Sequence, residues 1–191
     1  MKLIPYIKLD LLCQLNFGQH IKSGQDKDVK FLQVKNFTDD GVFLNNVENF
    51  VSSSEIKNSS LLKQNDILFV GKGLKFFAYL FQESTGKAIA SSVFYVIKVN
   101  EELVLPEYIV CILNQPKSIS YFLGASAGSS IPSIRKKELL DFEIPLLTIE
   151  EQEDVVNMYK LHLQQQAVLA SLKEKKQRLF NQTINQLTEK K

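Results

Sequence analysis

Between Thr148 and Thr188 the sequence contains neither glycine nor proline, and this uninterrupted stretch limits what the chain can build. It opens on Thr148-Ile149-Glu150-Glu151, a capping box. The Thr148 hydroxyl can accept from the Glu151 amide while the Glu151 carboxylate reaches back to the Thr148 amide. Gln, Leu, Lys and Glu dominate the rest of the stretch, all strong helix formers. Apolar residues return at three and four: Val155, Val156, Tyr159, Leu163, Leu169, Leu172, Leu179, Phe180, Ile184 and Leu187. A helix of about 40 residues spans roughly 60 Å, far longer than a domain this size can cover. Its stripe, carried by Val155, Tyr159, Leu163, Leu169, Leu172, Leu179 and Leu187, must be buried in a coiled coil within or between chains. Gln166 and Lys176 fall on or near the seam, which favours a specified register over maximal stability.

Residues 1–147 have a different pattern, short β-rich runs separated by turn signals. FLQVKNF (31–37), then Thr38-Asp39-Asp40-Gly41, then VFL, predicts a hairpin with a glycine-containing turn. NDILFV (65–70) ends at Gly71-Lys72-Gly73, FAYLF (77–81) runs into Glu83-Ser84-Thr85-Gly86, and KAIASSVFYVIKV (87–99) is the longest strand-like stretch. Pro106 and Pro116 sit where the first turn of a helix tolerates proline, the second helix stopping at Gly124. After the small-residue loop 124–133, Ser133 is placed to cap a short helix, IRKKELL, before a strand-like DFEIPLL. The expected fold is α+β: a small mixed or antiparallel sheet, or a partly closed barrel, with short helices and a long C-terminal coiled-coil helix. The division falls at 1–147 and 148–191.

Composition narrows the function. With 45% hydrophobic and 23% charged residues the 191-residue chain is ordinary globular material. Its net charge of +2 leaves any nucleic-acid surface to depend on where the cations sit. Cys13 and Cys111 lie in separate apolar runs and read as reduced packing residues of a cytoplasmic protein. With two histidines, His20 and His162, and no CxxC, no zinc site is expected and no other metal is indicated. The opening MKLIPYIKLDLL is broken by Pro5 and charged at Lys8 and Asp10, so neither a signal peptide nor a membrane span is expected.

No catalytic set emerges. Phe69-Val70-Gly71-Lys72-Gly73 superficially matches a glycine turn that cradles S-adenosylmethionine, but no acidic ribose binder or Asn-Pro-Pro-Tyr-like element accompanies it. The spacing of a nucleotide P-loop is absent, and Asp39-Asp40 before Gly41 is turn chemistry. The chain is therefore read as a non-enzyme without a cofactor. Lysines, by contrast, gather at turns: Lys22 near Gly24, Lys35-Asn36 at a strand end, and Lys72 and Lys75 around the glycines. Loop-tip lysines suit phosphate contact, and an asparagine beside them suits an adenine edge. Solvated loop lysines are the plainer alternative.

The order of these parts resembles the DNA-specificity subunit of type I restriction-modification systems, as one target-recognition domain followed by one conserved-region helix. The resemblance is carried by IKLDLLCQLNFGQHIKSG, FLQVKNFTDDGVF, NDILFVGKG, AIASSVFYVIKV and LPEYIVCILN. Its most specific part is GSSIPSIRKKELLDFEIPLLTIEEQEDVV, in which I-P-x-x-x-x-E-E-Q opens the long helix.

The resemblance implies sequence-specific binding of double-stranded DNA at a bipartite site. Separate methyltransferase subunits, and through them the endonuclease and translocase subunit, would be brought to that site. It also implies DNA contact from Ser129, Ser130 and Arg135, in a Gly-Ser loop near the junction of domain and helix; a hinge linker is the alternative. The usual subunit has two recognition domains whose helices pair antiparallel. A chain with one of each is expected to be a half-subunit acting as a homodimer, a silent recombination cassette, or a fragment. Two other readings remain: a coiled-coil assembly protein with a globular head, and a diverged methyltransferase-like domain.

Overall fold

A computed structural model describes residues 3–24, 27–126 and 131–188. The sheets are built from β1 (Tyr6–Lys8), β2 (Cys13–Phe17), β3 (Val29–Leu32), β4 (Phe50–Val51), β5 (Ile67–Val70), β6 (Ala78–Leu80), β7 (Ala88–Ala90), β8 (Phe94–Val99) and β9 (Glu143–Pro145). The helices are α1 (Pro106–Leu113), α2 (Pro116–Ala125), α3 (Lys136–Leu140) and α4 (Ile149–Thr188). The fold is α+β with open sheets, and none of them closes into a barrel. Two units separate, Met1–Glu153 and Asp154–Lys191.

In the first unit the main sheet runs β2-β8-β5-β6 and is antiparallel throughout. Four consecutive apolar residues make up β5, and all four are buried. A strand buried on both faces has no need of polar alternation, which is why Ile67–Val70 reads as one continuous apolar run. On one side Phe69 meets Phe122 of α2 at 4.8 Å between ring centroids, and Phe122 meets Phe142 at 5.0 Å. Phe37, Phe77, Tyr79 and Phe94 form a second aromatic group. Each fully buried side chain of this size stabilises the fold by roughly 1.5–3 kcal/mol. A smaller core of Val29, Phe31, Val51 and Ile89 lies within the sheet β4-β3-β7.

Three local expectations change. The stretch 87–99 is not one strand: β7 joins β3 in parallel, whereas β8 joins β2 and β5. The break falls at Ser91, where Gly18 packs against the Ser91 carbonyl and the Phe94 amide donates to it at 2.9 Å. The predicted hairpin over 31–44 keeps its turn, since Gly41 has a φ of +79° and its amide donates to Thr38 at 3.0 Å. Its arms, however, shrink to a single bridge between Phe37 and Phe43, and β3 finds its partners in β4 and β7. Finally, Ser133 does not cap the short helix; Arg135 occupies that position and its amide donates to the Glu138 carboxylate at 2.7 Å.

Both proline helices begin as the sequence predicts, with Pro106 and Pro116 in the first turn. β1, unforeseen in the sequence, pairs antiparallel with β9 just ahead of α4. The capping box is formed at the start of that helix: the Thr148 amide donates to Glu151 at 2.9 Å, and the Glu151 amide to the Thr148 hydroxyl at 3.3 Å. α4 runs for 40 residues. Among the described residues no helix is long and apolar enough to cross a membrane.

Candidate nucleic-acid interface

β5 ends at Val70, and the next residues pair across more than fifty positions of sequence. The Ile134 amide donates to the Gly71 carbonyl at 2.8 Å, and the Gly73 amide to the Pro132 carbonyl at 2.9 Å. Lys72 and Ser133 face each other as an antiparallel bridge. A short two-stranded ladder, 71–73 against 132–134, thus continues from the end of β5, an inner strand of the main sheet.

Tyr95 anchors it. Its hydroxyl donates to the Ile134 carbonyl at 2.7 Å, and burial, with a smaller effect of Glu138, holds the phenol above its ordinary pKa. Gly71 lies flat on the ring: a Cβ there would meet Tyr95 Cε2 at 2.4 Å. The glycine turn is therefore built for the ladder, with the Gly71 carbonyl and Gly73 amide engaged in it. A cofactor cradle has no support in this geometry.

This ladder joins two groups of cations that are distant in sequence. Lys72 and Lys75 are exposed on one arm, Arg135, Lys136 and Lys137 after the other. The Arg135 side chain is 86% exposed, with its Nε 3.8 Å from Glu138. Lys75 pairs with Asp39, which brings the Thr38–Gly41 turn alongside.

The remaining sequence candidates lie elsewhere. Lys35 faces Glu48 at 3.4 Å on the surface. Lys22 is exposed on the segment leading to the Gly24–Phe50 bridge, beside the smaller sheet. Asn36 is corrected outright as a base reader. Its side chain is buried, its Oδ1 accepts from the Gln33 amide at 2.8 Å, and its Nδ2 donates to Asn46 at 3.3 Å. The amide closes its own turn and cannot reach a base edge. Ser129 and Ser130 lie outside the described residues.

Lys136 and Lys137 were not singled out from sequence, although the run Arg135-Lys136-Lys137 was visible there. What the sequence did not carry is the pairing that sets this run beside Lys72. Elsewhere in the unit, burial pushes the Cys13 thiol up to about 12 and also raises Cys111. Both cysteines are free. Among the described residues no cluster of His, Cys, Asp or Glu is placed to hold a metal ion.

Taken alone, the second unit is a helix that is exposed along its length from Lys160 onward. Of the stripe, Val155 and Tyr159 are half-buried, while Leu163, Leu169, Leu172, Leu179 and Leu187 are exposed. Met158, Leu161, Val168, Phe180 and Ile184 are exposed as well. The apolar surface is thus broader than a single narrow seam.

No family model and no curated protein matches this sequence. Solved structures do match. The type I restriction-modification S subunit from M. genitalium shares 17% identity over 97% of this chain and 47% of its own, with a TM-score of 0.59. The HsdS subunit from Thermoanaerobacter tengcongensis shares 17% over 95% and 47%, with a TM-score of 0.67. A chain from a structure on complex assembly and conformational transition of the type I R-M system shares 14% over 99% and 50%, with a TM-score of 0.72. At such identities the likeness is one of fold: this chain has the fold of type I restriction-modification S subunits. It spans about half the length of the chains it matches.

Proposed function

We propose that this chain is a DNA-specificity subunit of a type I restriction-modification system. The observation that carries the proposal is the fold likeness, which extends over 95% or more of the chain in each of the three structures. The head, residues 1–147, binds double-stranded DNA, and the helix, 148–191, joins partners. Methylation and cleavage belong to separate subunits, so this polypeptide is not itself an enzyme. Its place is the cytoplasm, where its substrate is.

The ladder supports the same reading. Lys72 and Arg135 are exposed cations held on a rigid, hydrogen-bonded support and not on free loops. Such a support lets lysine and arginine sit on phosphates without ordering a loop at the moment of binding. Lys22, Lys35 and Lys75 are secondary phosphate contacts. The last two must first exchange an acidic neighbour for DNA.

For the 191-residue chain, self-association is the consequence of α4. Its exposed leucines each contribute roughly 1.5–3 kcal/mol when buried, more than enough in sum to drive pairing. A second copy offers the same stripe, giving a closed two-fold contact through Val155, Tyr159, Leu163, Leu169, Leu172, Leu179 and Leu187. Two heads on such a pair read an interrupted palindrome, with helix length setting the gap.

That same exposed stripe also suits a coiled-coil assembly protein with no DNA function. Retention of mixed-sequence duplex DNA at rising salt separates the two. A specificity subunit, with its methyltransferase partner present, loses affinity by about 0.9 log units per contacted phosphate for each tenfold rise in salt. An assembly protein retains no DNA at any salt.

A further inference from the structure

The outer end of the ladder carries a feature that phosphate contact does not explain. Leu74 is 81% exposed and lies between Lys72 and Lys75 with only Gly73 intervening. Ile131, at the other arm's outer end, is 54% exposed. Leu74 and Ile131 are the next residues outward from the paired positions Lys72–Ser133 and Gly73–Pro132, one on each arm. Gly73 has a φ of +137° and open space where a Cβ would stand, so the backbone leaves the ladder in a conformation that L side chains rarely adopt. Two exposed apolar residues thus stand at the outer end of the two-stranded support, with Lys72 and Arg135 exposed behind them and Lys136 and Lys137 at the start of α3.

An apolar tip with exposed cations beside it suits a particular kind of surface. It calls for a polyanion outside and an apolar interior that opens where the tip presses. Duplex DNA has that construction, with phosphates flanking grooves and stacked bases within. A leucine or isoleucine entering a base step from the minor groove unstacks it, and the flanking cations hold the backbone while it bends. We infer that Leu74, with Ile131 at the end of the other arm, is a wedge that enters a base step of the bound duplex. Lys72 and Arg135 then sit on the phosphates to either side. This rests on the DNA-binding reading above and adds to it a deformation of the target. Specificity gains from it, because the cost of opening a step depends on which bases form it.

The test uses the full chain with its methyltransferase partner and a mixed-sequence duplex pool carrying 2-aminopurine in place of adenine, a base whose fluorescence rises when it is unstacked. Binding of the unaltered chain is expected to raise that fluorescence at saturation. L74S, an exposed substitution that leaves the fold intact, is expected to diminish the rise to what base flipping by the methyltransferase partner supplies, and to weaken binding by roughly tenfold while keeping the salt slope. K72A is expected to keep the rise at saturation but to flatten the salt slope by about one contact. Undiminished fluorescence with L74S overturns the wedge, as does DNA binding by the unaltered chain without any rise. So does an L74S that binds DNA normally but loses the methyltransferase subunit, because Leu74 is then a protein contact. If the unaltered chain binds no DNA, the DNA-binding reading itself fails and the wedge with it.

Discussion

The Gln152 side-chain oxygen accepts a hydrogen bond from the Leu105 backbone amide at 2.8 Å, across 47 residues of sequence. Its Nε2 donates to the Leu103 and Leu147 carbonyls at 3.2 and 3.0 Å, and the side chain is fully buried. One amide therefore satisfies the residue that opens α1 and two loop carbonyls. It can do so only because the first turn of α4, set by the Thr148 capping box, presents it there. Replacing Gln152 with alanine leaves all three groups unpaired and is expected to cost roughly 2–4 kcal/mol in denaturant unfolding. Glutamate at the same position turns a carboxylate on two carbonyls, which disfavours the charged form and raises its pKa. That variant is expected to be least stable at neutral pH and to recover as the pH falls and the carboxyl becomes a donor.

Gly18 and Ser91 make opposite predictions from one contact. A Cβ on Gly18 would lie 2.0 Å from the Ser91 carbonyl oxygen, in backbone that cannot move without breaking the Gln19–Ser91 bridge. Gly18→Ala is expected to destabilise by roughly 3 kcal/mol or more. Ser91 itself is buried, and its hydroxyl has no hydrogen-bond partner among the described residues. Removing an unsatisfied hydroxyl leaves nothing newly unpaired, so Ser91→Ala is expected to be neutral or to stabilise by up to about 1 kcal/mol. Thermal unfolding of the two variants side by side checks both.

The thiols are expected to be inert in the folded protein. Cys13 is held near 12 and Cys111 above its ordinary value, both mainly by burial, so little thiolate exists at pH 8. Alkylation at that pH is expected to be slow in native protein and fast in denaturant. Because the folded thiols keep their protons longer than unfolded ones, their contribution to stability is intact below about pH 9. It is lost as the pH rises from there toward 12.

Pairing through α4 is open to a direct reading. The 191-residue chain is expected to scatter light as a dimer at micromolar concentration, and Leu169→Asp with Leu172→Asp to return it to monomer while the head keeps its melting transition. Inserting four residues near Gln164–Gln166 is expected to widen the gap between DNA half-sites without altering them. A monomeric parent chain contradicts the pairing.

What the sequence made legible was local. The capping box, the two prolines that open α1 and α2, and the unbroken helix formers of α4 each act within a few residues, and each is found in the structure. Pairings were not legible. β3 reads as one arm of a hairpin because its neighbours in sequence are turn residues, yet its parallel partner is β7, nearly sixty positions away. The stretch 87–99 has strand composition throughout, and only the close approach of Gly18 explains its division at Ser91. The candidate site suffered in the same way. Lys72 and Arg135 were both visible as loop cations, but their joining through the Lys72–Ser133 bridge is a tertiary fact. Asn36 misled because an asparagine at a strand end can equally read a base or close a turn, and burial decides between them.

Selection from a pool of random duplexes tests whether this chain reads a DNA sequence. The 191-residue chain, with its methyltransferase partner, is incubated with the pool at near-physiological salt, and the retained DNA is sequenced. Enrichment of one short half-site, present twice in inverted orientation at a fixed gap, is expected. Lys72→Glu with Arg135→Glu is expected to abolish that enrichment. Retained DNA with no enriched sequence, or no retention by a folded chain, contradicts sequence-specific binding.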